Sequence, residues 1–345
     1  PELRDALDWA AGNWDADAGG TLQIWVAGGL YLPTGDESDR SATFTLLNDV
    51  EVYGGFAGVE TSLDARDWQA NPTILSGDLG GDDTTDDGVV SDTDNITGGN
   101  ARHVVTASGT DATALLDGFT ITGGNANGAL GTPASSGGGL NNRDGNARLA
   151  NLLISGNRST FFGGGMYIFQ GAPALSNVTF RANRSGRGGG MANEEGDPVL
   201  INVAFSGNRA ANGGGMYNKG SNASLTQVVF SGNSANVGGG ISNNESNPTL
   251  THVIFSGNSA DEGGGIYNSQ SNPTLTHVVF SGNSATTGGG LFNINESDPT
   301  LTGVILWGNQ ADTAPSIFND AGFEDLGPSV PTISYSLVEG SGGSD

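Results

Sequence analysis

From residue 137 to residue 312 short apolar pieces alternate with glycine, asparagine, serine and proline in a fixed beat. Triple glycine begins at Gly137, Gly163, Gly188, Gly213, Gly238, Gly263 and Gly288, one step of 26 residues followed by steps of 25. An apolar residue followed three positions later by asparagine keeps the same time: Ile154/Asn157, Phe180/Asn183, Phe205/Asn208, Phe230/Asn233, Phe255/Asn258, Phe280/Asn283 and Leu306/Asn309. One unit, Gly263 to Thr287, reads GGGIYNSQSNPTLTHVVFSGNSATT. Its apolar pieces (Ile266, Leu275, and Val278 with Phe280) have strand length and are separated by turn-forming residues. A unit this short and this β-branched excludes a helical repeat. Each unit predicts one coil with three faces, and coils stacked about 4.8 Å apart pair the backbone groups that a lone coil leaves open. The pattern predicts an all-β parallel β-helix, a three-faced solenoid with one 25-residue unit per coil.

Strand alternation turns Ile266 inward and Tyr267 outward, and sets Asn268 in the corner. Stacking then predicts one ladder through Asn193, Asn218, Asn243, Asn268 and Asn293, and a second from Asn157 to Asn309, each amide bonding the next inside a tight turn. Glycine columns fit corners that need positive φ or close backbone stacking. Pro173, Pro198, Pro248, Pro273 and Pro299 start strands, where a missing N–H is tolerated.

The beat thins toward the N-terminus, where LQIWVAGGLYLP, ATFTLLNDVEVYGGFAG and ALLDGFTITGGNA read as irregular coils with longer loops. Before them Leu3, Ala6, Leu7 and Ala10 form an apolar stripe at helical spacing. That stripe predicts a short helix covering the first coil, since an open solenoid end exposes strand edges. The expected organisation is one β-helix domain over residues 1–345. Within it lie a cap (1–20), irregular coils with a long acidic loop (21–136), regular repeats (137–312) and an irregular C-terminal segment (313–345) ending in the linker-like EGSGGSD. Eleven or twelve coils make a rod of roughly 50–60 Å. With neither Met nor an apolar leader at Pro1, the chain reads as a mature or trimmed piece.

GGG followed by Ile, Met or Leu, with FSGN in the same coil, resembles the GGA-I and FxxN repeats of the polymorphic outer-membrane proteins first described in chlamydiae, with Gly here in place of the motif's Ala. The stretch IWVAGGLYLPTG to TILSGD resembles the opening of bacterial surface proteins of the right-handed parallel β-helix group. Together the two resemblances span residues 20–310. They imply a right-handed coil, an extracellular or bacterial cell-surface setting, and work as an adhesin, passenger or stalk. Some β-helix families instead cleave polysaccharide.

Composition narrows the partners. Twelve basic against 37 acidic residues give a formal charge of −25, so a phosphate backbone is repelled and nucleic acid is excluded as a partner. No apolar run is long enough to span a bilayer as a helix. The absence of cysteine excludes disulfides, thiolate–zinc sites and cysteine nucleophiles. Only 35% of residues are hydrophobic, so the core is thin and drawn out along the molecule.

Three groups of residues could carry chemistry. Asp78, Asp82, Asp83, Asp86, Asp87, Asp92 and Asp94 crowd one glycine-containing loop, a set of hard oxygen donors suited to Ca²⁺, although their spacing is not that of an EF-hand. The alternative is a solvated acidic loop. Asp36, Glu37 and Asp39 make a smaller cluster. Arg158, Arg184 and Arg209 each follow a ladder asparagine and so stack on successive coils. Such a column needs carboxylates between its charges, with Glu194 and Glu195 the candidates, or it forms a groove for a carboxylated or sulfated sugar. Tyr217, Tyr267 and Phe292 form an outward aromatic column able to stack on sugar rings or a partner protein, or simply to strengthen the sheet. Gln227, His252 and His277 fall on outward positions of another strand, and Thr226, Thr251 and Thr276 offer a short threonine column of the kind ice binding uses.

No nucleophile elbow, zinc-protease, P-loop or dinucleotide motif stands in a supporting context. The expected function is therefore a binding or structural module, stabilised by calcium, with loops near 78–100 and 125–137 as contact elements and a surface glycan or a host or neighbouring-cell protein as partner. The alternative is a polysaccharide lyase acting on acidic polymer, with Arg143, Arg148 or the basic column beside Asp144, Glu194 or Glu195.

Overall fold

The structure, a computed structural model, describes residues 2–321 and 327–339; the linker-like tail beyond Glu339 lies outside them. The chain winds as a parallel β-solenoid of about 11 turns. Each turn contributes to a 20-stranded parallel sheet and most contribute to a second, ten-stranded one. The third side is narrow, with short pairs such as Ser284–Thr287 on Gln310–Thr313 and single bridges such as Ser234 to Ser259. Adjacent coils pair in strict register, Ile241 on Ile266 and Leu250 on Leu275, so one coil is the template of the next.

A single backbone feature shapes the large sheet. In Thr274–Thr276 followed by Val279–Ser281, His277 takes a φ of +54°, and Asn177, Asn202, Gln227 and His252 sit at the equivalent bend with φ near +55°. The left-handed residue absorbs one step of alternation, so Leu275, Val278 and Phe280 all face the core although the first two are three apart. Gln227, His252 and His277 are thus bend residues, with the two histidine rings stacked 5.2 Å apart. Thr226, Thr251 and Thr276 share one half-buried outward column.

Inside, Phe180, Phe205, Phe230, Phe255 and Phe280 stack nearly parallel, with centroids 4.7 to 4.9 Å apart. Beside them Asn157 to Asn309 form the expected ladder. Asn233 donates its backbone N–H (3.0 Å) and its side-chain amide (2.9 Å) to Asn258 Oδ1, and the same amide donates to the Phe205 carbonyl at 3.0 Å. The second ladder runs from Asn193 to Asn319. It is broken below Asn193 because Ile168 occupies the next rung, which leaves Asn193 Oδ1 buried without a donor.

The helix Leu3–Asn13 caps the first coil. It buries Leu3, Leu7 and Ala10 in the same core as Val26, Phe44 and Leu46. Among the described residues no helix is long and apolar enough to cross a membrane.

Candidate functional site

The acidic loop does not converge as a whole. Asp86 closes a tight turn with Val89, Asp87 sits within that turn at φ +48°, and Asp92 accepts from the Asp94 N–H to cap Thr93–Asn95. Asp94 is held by Arg184 at 3.0 Å. The carboxylates of Asp92 and Asp94 are spent on a turn and a cation, Asp86 and Asp87 belong to a separate turn, and of the seven expected residues three come together. Asp78, Asp82 and Asp83 place one carboxylate oxygen each within 4.8 Å of one another. The loop wraps around buried Asp78, whose two oxygens accept from the backbone N–H groups of Asp82 (3.1 Å) and Asp83 (3.2 Å). Asp83 accepts from the Thr97 N–H at 2.7 Å and from Asn100 Nδ2 at 2.8 Å. Burial pushes the Asp83 carboxyl above its ordinary range against those hydrogen bonds, and the charges of Asp78 and Asp82 push the same way. Asp36 and Asp39 instead hold the turns at Ser38 and Ser41.

Arg158, Arg184 and Arg209 do bridge on successive coils. Their charges are separated by the acidic loop and not by Glu194 and Glu195, which lie on the second sheet. Arg158 donates to Asn125 Oδ1 and to the Thr93 carbonyl, Arg184 pairs with Asp94, and exposed Arg209 has no side-chain partner among the described residues. Asp92, Asp94, Arg184 and Arg209 line an open groove of about 310 Å³.

The aromatic column also differs from expectation. Its register runs Tyr167, Ala192, Tyr217, Ser242, Tyr267, Phe292 and Phe318. These side chains leave the sheet outward, but neighbours cover them: Tyr217 is only 5% exposed and Phe292 7%. Tyr267 stacks on Phe292 at 5.3 Å and Phe292 on Phe318 at 4.6 Å, so ring faces are occupied along the column. Burial, with Glu262 nearby, pushes the Tyr267 hydroxyl up to about 12.

A convergent site lies at the start of the regular coils, where the sequence offered Arg143 and Glu194 only as lyase candidates and the 125–137 loop as a contact element, without the aromatic cluster that joins them. Phe162 stacks on Tyr167 at 5.4 Å and reaches Tyr217 at 6.1 Å across the small Ala192, with Phe161 tilted against it at 4.2 Å. Two guanidinium groups flank this cluster. Arg187 lies 5.0 Å from the Phe161 ring centre and 5.5 Å from that of Phe162; Arg143 lies 5.4 Å from Tyr167 and 5.5 Å from Phe169. Neither guanidinium has a hydrogen bond or ion pair among the described residues, and Arg143 Nε is buried. Glu194, two coils along from Arg143 in the same outward column, accepts from the Tyr167 hydroxyl at 2.7 Å and faces Lys219 Nζ at 3.3 Å. Burial, then that hydrogen bond, drives the Tyr167 hydroxyl well above its ordinary value. The insertion before Gly137 forms the remaining wall: Phe161 N–H donates to the Ser135 carbonyl and Asn141 Nδ2 to that of Ser136. The half-open cavity between these walls measures about 190 Å³.

The signal in the sequence was a departure from the repeat. Phe162 and Arg187 occupy the position that Asn212, Val237, Glu262 and Thr287 hold in later coils. The two coils that put an aromatic or cationic group there, at Phe162 and Arg187, adjoin the insertion that lengthens the first regular coil to 26 residues.

Residues 252–269 match the Chlamydia polymorphic membrane protein repeat. The match takes in one FSGN turn and the GGGIYNS strand after it, and a stack of such coils fits a polymorphic membrane protein-like β-helix repeat. No curated protein and no solved structure matches the chain.

Proposed function

We propose that this chain, built of coils that fit the polymorphic membrane protein repeat, is a surface-exposed binding and structural module in which a stiff solenoid displays outward side chains to a partner. The observation that carries this reading is the division of labour in the second sheet. Inward positions repeat as Met, Ile or Leu with Asn, while the outward column reads Arg143, Phe169, Glu194, Lys219, Asn244, Ser269 and Ile294. A frame that holds its interior constant and varies its exterior suits recognition. The likeness to a membrane-protein repeat supports a setting at the bacterial surface. The lyase alternative asks for an arginine and at least two free carboxylates in one cleft; in the groove at Arg184 and Arg209, Asp92 is taken by the Asp94 N–H and Asp94 by Arg184, and the cavity at Tyr167 contains one carboxylate, Glu194.

The test is size-exclusion chromatography of a panel of neutral and acidic polysaccharides after incubation with the full chain. Co-elution at unchanged polymer length is expected. Shortening of any polymer overturns the module in favour of an enzyme, and an unchanged elution of every polymer removes glycan as the partner class.

The acidic trio supports a Ca²⁺ site that orders the loop. Three carboxylates fill part of a six- to eight-oxygen shell, and loop carbonyls and water supply the rest. Two features fit a cation there. Gly98 has a φ of +58°, and a β-carbon on it would meet the Asp82 carboxylate, so glycine leaves that carboxylate its place in the trio. Asn100 is fully buried with its Oδ1 unpartnered while its Nδ2 holds Asp83. Adding CaCl₂ to chelator-treated protein is expected to slow amide hydrogen exchange across residues 78–100 by at least tenfold, and Asp83→Asn to abolish the effect. Unchanged exchange in the unsubstituted protein would remove calcium from the account.

A further inference from the structure

We infer that the cavity walled by Arg143, Phe161, Phe162, Tyr167 and Glu194 binds one carboxylated sugar ring, a hexuronate unit of an acidic glycan; this rests on the reading of the chain as a binding module. The argument begins with charge. In a chain carrying −25, Arg143 is kept from every carboxylate among the described residues, its Nε out of solvent and its plane against Tyr167 and Phe169. A guanidinium nitrogen held out of solvent without an acceptor is costly, and ring contacts offset only part of the cost. An arriving carboxylate would supply the two parallel hydrogen bonds that the guanidinium fork is shaped to make. Arg187, held against Phe161 and Phe162, adds a second unpaired positive charge to the same aromatic cluster.

The opposite wall selects against a simple anion. Glu194 is largely shielded, with 12% of its side chain accessible, and Tyr167 and Lys219 hold it in place. Its charge repels sulfate or phosphate seated at the centre, yet it accepts hydrogen bonds from hydroxyl groups. A ligand with one carboxylate and several hydroxyls satisfies both walls, its C–H surface meeting Phe161. The volume of about 190 Å³ is close to that of a single sugar ring, which suits an end or a bend of a polymer better than several units lying flat.

The experiment titrates trigalacturonate and triglucuronate into the full chain by calorimetry, with carboxyl-reduced neutral trisaccharides and sodium sulfate as separate arms. The uronates are expected to bind at least tenfold more tightly than the neutral sugars, and sulfate not at all. Arg143→Ala should weaken uronate at least tenfold, and Arg143→Lys should restore only part of that. Glu194→Gln should weaken the uronates and admit sulfate. Near-ultraviolet circular dichroism of each variant reports whether the aromatic cluster stays packed, and Phe161→Ala, at the rim, supplies a variant that leaves both arginines in place. Equal binding of neutral and acidic sugars, or uronate binding unmoved in a folded Arg143→Ala protein, overturns the assignment. If polysaccharide still co-elutes with that variant, the module stands and its site lies elsewhere; if the unsubstituted chain retains no polysaccharide, the glycan reading itself fails.

Discussion

Asn258→Ala is expected to lower the stability of the rod by about 4 kcal/mol or more, the largest loss of any single truncation of a polar side chain in the coil stack. The amide of Asn258 donates to the Phe230 carbonyl and to Asn283 Oδ1, both at 2.9 Å, and its Oδ1 accepts the backbone N–H and the side-chain amide of Asn233. Every one of these residues is 0% exposed, so no water replaces the lost side chain. Alanine takes one hydrogen bond from the Phe230 carbonyl and leaves the Asn233 N–H and one proton of the Asn233 amide without partners, the two orphaned donors costing about 1–3 kcal/mol each. Asn247→Ala is the matched control. Asn247 is exposed and its Oδ1 accepts the Asn272 N–H at 2.6 Å, so water substitutes and the loss stays within about 1 kcal/mol. Urea midpoints give the comparison, and hydrogen exchange locates it: protection should collapse first in the coils carrying Phe230 and Asn283. Equal losses for the two variants would mean that the inner ladder is no better sealed than the outer one.

That contrast explains why the fold was legible in the sequence. A residue whose role is fixed by stacking must recur in every coil, so the ladder asparagines, the core phenylalanines and the glycine triplets announced themselves through phase. The N-terminal helix was legible for a related reason, since its stripe of Leu3, Leu7 and Ala10 carries a period of its own. What escaped was whatever a period cannot encode. The left-handed bend at His277 is one case, because alternation alone forbids Leu275 and Val278 from both facing inward. Coverage of outward positions is another. Tyr217 points away from the sheet as expected, and Phe162, from the coil two turns earlier and 55 residues back in the chain, covers it. The acidic loop misled because nearness in sequence is a poor guide to convergence where each carboxylate can cap its own turn; Asp92 and Asp94 lie two residues apart and serve a backbone N–H and Arg184 respectively. At the site near Arg143 the sequence offered Arg143 and Glu194 as separate candidates, and what would have joined them was a break in the repeat, the pair Phe161 and Phe162.

Gly239→Ala is expected to cost about 3 kcal/mol or more, although an added methyl is the smallest change a glycine permits. The backbone of Gly239 asks for no special φ; the constraint is the next coil. A β-carbon there would stand 2.5 Å from the Gly264 carbonyl oxygen and 2.7 Å from that of Ser259. Those backbone atoms cannot retreat, because Gly239 N–H donates to the Gly263 carbonyl at 3.0 Å and Gly240 N–H to that of Gly264 at 3.2 Å, bonds that set the spacing between coils. Relief requires prying two coils apart, and each coil is in turn bonded to the one beyond. Gly232→Ala separates this effect from conformational strain. Gly232 has a φ of +60° with nothing within 4 Å of the added carbon, so alanine costs only the left-handed backbone preference, about 1–2 kcal/mol. The urea midpoint of Gly239→Ala should therefore fall further than that of Gly232→Ala, despite the more permissive φ of the first site. If the order reverses, the coils can part locally at little cost, and the solenoid is too compliant to serve as the stiff frame that display of the Arg143 site requires.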